Sequence, residues 1–159
     1  MRRTKRRTGE EIKMKIRKAK KEDFKKIAEI LRKESSKKPY CEKYTPKKAL
    51  NEVKTFAKTE LYVAIIDNSI AGFIASSITK DDKEKAYVNE LWLSSDYQRM
   101  GAGKSLIKFI EDKYKSKGIK VIRLVTKTSS GAFKFYKKLK YKETTGMVFV
   151  EKKISGGRN

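Results

Sequence analysis

The chain has no histidine, a single cysteine (Cys41) and a single glutamine in 159 residues. Without histidine, the Ser-His-Asp and Cys-His nucleophile systems and every His-ligated metal site are excluded. Acid–base chemistry is left to Glu, Asp, Tyr, Lys, water or a substrate group, and no metal is expected. Cys41 alone makes no internal disulfide, and the basic first residues lead into no apolar segment, so a cytoplasmic protein is expected. No apolar run approaches the roughly 20 residues of a membrane span, and no membrane partner is anticipated. Acidic residues are few beside basic ones, 19 against 42, for a formal charge of +23. Such an excess attracts polyanions, including nucleic acid, phosphorylated cofactors and acidic proteins. The lysines are spread along nearly every segment, a distribution that a lysine-rich proteome would also produce.

What is present reads as one domain of alternating strands and helices. Residues 1–13 (MRRTKRRTGEEIK) are basic and poor in apolar side chains, and are expected to form a disordered arm. The domain itself is expected to span 14–154, with 155–159 as a flexible tail. A short strand is expected at 14–17, followed by a helix whose apolar face is Phe24, Ile27, Ala28, Ile30 and Leu31. After a loop over 35–46, Pro46 opens a second helix with Ala49, Leu50, Val53, Phe56 and Ala57 on one side. The period then changes. Runs at 61–66 and 70–78 around Asp67-Asn68-Ser69 read as a hairpin, and 86–93 as a third strand. A helix follows with Leu106, Ile107, Ile110 and Tyr114 inward and Gly118 as its stop. A strand at 119–126, a helix at 129–139 and two short strands within 141–154 complete the order. Hairpins mixed with one β-α-β unit indicate an α/β (mixed α+β) fold, a mixed central sheet with helices on both faces.

Between the third strand and its following helix lies Gln98-Arg99-Met100-Gly101-Ala102-Gly103-Lys104-Ser105. Its Gly-Lys-Ser ending suggests a nucleotide P-loop, but that motif needs a glycine where Gln98 stands. The strand at 121–126 carries Arg123 and no carboxylate for magnesium. The dinucleotide fingerprint fails as well, because Leu106 occupies its third glycine position. What remains is a strand, Gln-x-x-Gly-x-Gly, and a helix. Gly101 and Gly103 let successive N–H groups converge, and the helix start adds partial positive charge, so the turn suits a pyrophosphate.

This loop resembles the coenzyme A loop of the GCN5-related N-acetyltransferase (GNAT) family, and the resemblance runs from about Met14 to Lys153. The stretch 87–97 (YVNELWLSSDY) is similar to the family's central strand and its exit. It is especially similar to diamine and polyamine acetyltransferases, which carry paired acidic residues where this chain has Asn89-Glu90. The segment 129–141 (SSGAFKFYKKLKY) is similar to the family's second signature. Ala132, Phe135, Tyr136 and Leu139 match, Ser129 replaces the usual Asn, and Lys140 the usual Gly.

The resemblance implies a splayed sheet of the acyl-CoA N-acyltransferase type and acetyl-CoA as co-substrate. The pantetheine arm would lie on the backbone of Leu91, Trp92 and Leu93, and the pyrophosphate on Gln98, Arg99, Met100, Gly101, Ala102, Gly103 and Lys104. Ser129 and Ala132 would face the cofactor. Tyr136 is the implied general acid, and the N–H near Leu93 the oxyanion donor. Glu90 is an acid–base group, an anchor for the amine, or a structural carboxylate. The acceptor is an amine, a small polyamine if Glu90 receives it. Acidic peptides, protein N-termini and protein lysines stay open, because the chain's positive field slows the approach of a polycation. A non-catalytic acyl-CoA or nucleic-acid binding module is the reading from a different class. A homodimer is compatible with the residues, which do not determine the oligomeric state.

Overall fold

The computed structural model describes residues 2–5 and 11–155. Its elements run β1 (Arg2–Lys5), β2 (Glu11–Lys18), α1 (Phe24–Ser35), α2 (Pro46–Phe56), β3 (Glu60–Ile66), β4 (Ser69–Ile78), β5 (Lys85–Leu93), α3 (Ala102–Ser116), β6 (Val121–Arg123) and α4 (Gly131–Lys138). The strands form one six-stranded sheet in sequence order. All neighbours are antiparallel except β5 and β6, which the α3 crossover makes parallel.

Alternation along the central strands sends side chains to two apolar layers. Tyr62, Ala64 and Ile66 of β3 face α3, meeting Leu106, Ile107, Ile110 and Tyr114. Leu61, Val63 and Phe73 face the other way, against Ile27, Leu31, Ala49 and Val53 of α1 and α2. The fully buried Tyr114 shares a 2.6 Å hydrogen bond with Ser76 Oγ, which satisfies its hydroxyl inside the α3 layer.

Local chemistry accounts for the turns. Asp67 and Asn68 take φ of 48° and 63°, the left-handed pair that a two-residue hairpin loop requires. Thr45 accepts from the Lys48 N–H at 3.1 Å and Pro46 follows it, which starts α2 cleanly. Asp23 is held by Arg17 through two hydrogen bonds of 2.7 and 3.0 Å and by the Lys20 N–H at 2.7 Å. The Arg17 guanidinium accordingly holds the Asp23 carboxyl below its usual range and ties the end of β2 to the start of α1.

Three expectations meet a different outcome. Residues 1–13 contribute β1 and the first turn of the ladder with β2, Arg2 opposite Met14 through Lys5 opposite Glu11; residues 1 and 6–10 of that arm lie outside the described residues. The strand expected at 119–126 keeps ladder bonds only over β6, because beyond Arg123 the chain turns away from β5. No ladder forms at 141–154 among the described residues. An apolar run is present at 147–150, but a strand needs a partner edge as well as a pattern. Of the tail, residues 156–159 lie outside the described residues.

Phe73 is fully buried, with its ring stacked on Phe56 at 6.3 Å between centroids. Phe73→Ala is expected to lower the unfolding free energy by about 3–5 kcal/mol, read as a shifted midpoint in urea denaturation.

Candidate active site

The site begins where the sheet opens. β6 pairs with β5 at three positions, Lys85 with Val121, Ala86 with Ile122 and Tyr87 with Arg123. β5 continues for six further residues to Leu93 while the chain after β6 diverges. On that side the backbone of 88–93 therefore borders a cleft. On its other side β5 stays paired to β4 as far as Leu93 opposite Gly72, with a bulge that leaves Asn89 without a direct opposite. The bulge re-aims the strand between Val88 and Glu90. Gly72 permits the close approach: a Cβ there would sit 2.7 Å from the Trp92 carbonyl oxygen and 2.6 Å from Leu93 Cδ2.

Past Leu93 the chain is anchored before it enters the glycine turn. The Ser94 N–H donates to the Ala71 carbonyl at 2.8 Å. The Ser95 N–H donates to Glu34 Oε1 at 3.1 Å, and Lys37 Nζ holds the other carboxylate oxygen at 2.8 Å. Glu34 is buried, so this acidic side chain of α1 positions the approach to the loop. The sequence offered no sign of it: a Glu in a lysine-rich helix looks like any surface charge.

Gln98 is exposed and extended, with Arg99 at φ 65° and Gly101 at φ 80°. Gly101 is the N-cap of α3 and supplies no side-chain cap, so the first N–H groups of this helix are left to the loop's concave side. Ala102 and Gly103 are buried, and Lys104 is exposed beside them. A Cβ on Gly103 would lie 3.2 Å from Leu93 and 3.3 Å from the Phe135 ring. The end of β5, the start of α3 and the face of α4 therefore meet at one glycine. An uncapped helix start joined to an open strand edge fits a phosphate-bearing cofactor with an extended amide arm.

α4 closes the cleft's far side. Its cap is Ser130, whose Oγ accepts from the Phe133 N–H at 3.4 Å and donates to the Lys127 carbonyl at 2.7 Å. Ser129 sits exposed one residue before this cap. Ala132 is half-buried and Tyr136 buried. Burial above all, then the neighbouring Tyr141, Tyr40 and Glu90, raises the Tyr136 phenol well above its ordinary pKa and keeps it protonated.

At the cleft's other end Trp92 Nε1 donates to Glu90 Oε2 at 2.5 Å. Burial, and then the nearby Glu42 and Glu52, raises the Glu90 carboxyl against the lowering effect of that hydrogen bond. The loop after α1, undecoded on the sequence, covers this end. Tyr40 packs edge-on against Trp92 at 4.9 Å, and Lys127 Nζ reaches the Pro39 carbonyl at 3.1 Å. Tyr44 is pushed up to about 12 by burial first and by Glu42, Glu52 and Glu90 after it. Three carboxylates and three aromatic rings therefore share one corner, and of these only Glu90 and Trp92 were marked by the sequence.

A family model described as the acetyltransferase (GNAT) family matches residues 24–141. The chain belongs to this family. It is an acetyltransferase whose co-substrate is acetyl-CoA. A spermidine N(1)-acetyltransferase of Thermoplasma acidophilum is 34% identical over 118 residues, covering 70% of this chain and 71% of that protein. The PaiA N-acetyltransferase of the same organism, solved with coenzyme A, superposes with TM-score 0.64 at 29% identity, over 80% of this chain and 88% of that one. A possible acetyltransferase from Clostridium difficile 630 gives TM-score 0.76 at 17% identity over 89% and 99%. Among the described residues, no helix is long and apolar enough to cross a membrane and no His, Cys, Asp and Glu group suits a metal.

Replacing Gly103 by Val is expected to push Leu93 and Phe135 apart and misplace the first N–H groups of α3. Acetyl-CoA affinity should fall about 10–100-fold by calorimetry, the equivalent of one or two charge-assisted hydrogen bonds.

Proposed function

We propose that this enzyme transfers the acetyl group directly from acetyl-CoA to a primary amine of a small polycationic amine. The observation that carries the reading is the corner formed by Glu42, Glu52 and Glu90 with Tyr40, Tyr44 and Trp92. In a chain of charge +23, Glu42 and Glu52 beside Glu90, whose carboxyl is raised by burial first and by these two neighbours after it, form a local inversion of sign. Carboxylates beside aromatic faces are what a multiply charged, partly apolar amine binds, through ion pairing and cation–π contact together. The likeness to a spermidine acetyltransferase supports the same acceptor class.

Acetyl-CoA supplies an activated thioester carbonyl. The chain's own groups orient and exchange protons around it. Gly101, Ala102, Gly103 and Lys104 hold the pyrophosphate, with Gln98, Arg99 and Met100 shaping the turn. The unpaired edge of Leu91, Trp92 and Leu93 holds the pantetheine amides, with Ser129 and Ala132 beside it. The N–H near Leu93 is placed for the oxyanion. Glu90 anchors the incoming ammonium and accepts its proton, and its raised pKa brings it closer to the strength of a useful base. The amine nitrogen bonds to the acetyl carbon as the carbon–sulfur bond breaks. The Tyr136 hydroxyl then delivers its proton to the departing sulfur. Burial raises phenol and thiol alike, so this transfer is less mismatched than their aqueous acidities suggest.

An amine panel assayed by free-thiol release tests the reading. Spermidine and spermine should show the highest kcat/KM, ahead of aminoglycosides and of N-terminal and lysyl peptides. A preference for peptides would replace it with protein acetylation. Glu42→Gln combined with Glu52→Gln should raise the polyamine KM about tenfold or more with kcat nearly kept. Tyr136→Phe should lower kcat about 10²–10⁴-fold while acetyl-CoA affinity stays intact; unchanged turnover would remove Tyr136 from the acid's role.

A further inference from the structure

Lysines occur along the whole chain, but the net charge is concentrated at its start. Residues 1–33 hold 15 basic and 5 acidic side chains, a net +10 of the total +23 in about one fifth of the length. In β2 the pattern is Lys13-Met14-Lys15-Ile16-Arg17, and alternation sorts it by face. Met14 and Ile16 enter the α3 layer. Lys13 and Lys15 are exposed and Arg17 half-buried on the opposite face, where Arg17 lies beside Val63 of the layer under α1 and α2. The register with β1 puts Arg3 at the position beside Lys13.

This row borders a trough of about 550 Å³ between β2 and the first turn of α1, lined by Lys15, Arg17, Lys26 and Asp23 with Asn68 and Ser69 of the β3–β4 turn. Its one carboxylate is already committed: Asp23 accepts two hydrogen bonds from Arg17 and one from the Lys20 N–H. Lys26 meets Glu29 at 3.2 Å, but both are exposed, and such a pair yields readily to a stronger anion. No aromatic residue lines the trough, and none precedes Phe24 in the chain. A surface for single-stranded nucleic acid stacks bases on aromatic rings, and this one has none to offer. A protein partner would need an apolar or aromatic anchor at the centre of the contact, and here cations surround the centre.

The geometry points to this basic face as a docking surface for duplex nucleic acid, held through the phosphate backbone without regard to base sequence. Lys13 to Arg17 covers about 13 Å of extended strand, and phosphates on one strand of a duplex recur about every 3.4 Å along the axis. One row of side chains therefore follows several phosphates. Ammonium groups on flexible stems suit that task as movable point charges, whereas base readout takes planar forks and amides aimed into a groove. Because Asp23 pins Arg17, Lys13, Lys15 and Lys26 are the groups that meet phosphate. The surface is separate from the acetyl-transfer site, since β3 and β4 stand between β2 and β5, a spacing of about 14 Å.

Fluorescence anisotropy of a short labelled duplex, titrated with the full chain at salt from about 50 to 200 mM, tests the docking. Binding is expected to be equal for two duplexes of unrelated sequence and weaker for a single strand of the same charge. The triple variant Lys13→Gln, Lys15→Gln, Lys26→Gln should lose affinity about tenfold or more and flatten the salt slope by about three, close to one per phosphate contact. A control that removes the same charge elsewhere, Lys83→Gln, Lys115→Gln, Lys138→Gln, should keep the parent's slope. The charge-keeping set Lys13→Arg, Lys15→Arg, Lys26→Arg should bind like the parent, and all three sets should keep the parent's kcat/KM for a small amine. A parent chain that leaves the duplex unbound at about 50 mM salt would overturn the inference. So would a control that weakens binding as much as the first variant, or tighter binding of the single strand.

Discussion

Two neighbouring strands of this sheet part company after Tyr87 and Arg123, and most of the site follows from that. A strand in a continuous sheet spends its backbone groups on both neighbours. β5 spends them on one side only beyond Tyr87, which leaves the outward-pointing N–H and C=O groups of alternate residues over 88–93 available to something else. Keeping such a strand in place requires strong attachment on its other side. The close contact at Gly72 and the Ser94 and Ser95 anchors supply it. The helix that crosses to β6 then begins at the mouth of the gap, uncapped by any side chain. An open amide edge and an open helix start thus come from one topological event.

Electrostatics divides the protein into a general and a local field. The surface is basic almost everywhere, which suits the phosphates of acetyl-CoA and works against a cationic acceptor. The corner made by Glu42, Glu52 and Glu90 reverses the sign over a few ångströms, where desolvation and short distance outweigh the screened distant charge. Its cost is visible in the raised Glu90 and Tyr44 groups. Tyr136 is buried, and burial above all keeps its phenol protonated.

Local pattern determined a good deal here. Helix faces at Phe24–Leu31 and Leu106–Tyr114, the Asp67-Asn68 hairpin and the Gln98-x-x-Gly101-x-Gly103 turn were legible because each depends on neighbours within a few residues. Family membership was legible for the same reason, since its signatures are contiguous. What the tertiary structure decided are relations across long separations. Glu34 reaching Ser95, Glu42 and Glu52 facing Glu90, and Tyr40 roofing Trp92 join segments tens of residues apart, and no periodicity encodes them. Of the adjacent Ser129 and Ser130, the second caps α4 because backbone geometry, and not residue type, chooses between them. The strand pattern at 141–154 and the full length expected at 119–126 failed to become ladders within the chain for one reason. A sequence can specify which faces are apolar, but only the assembled sheet determines which edge is there to receive them.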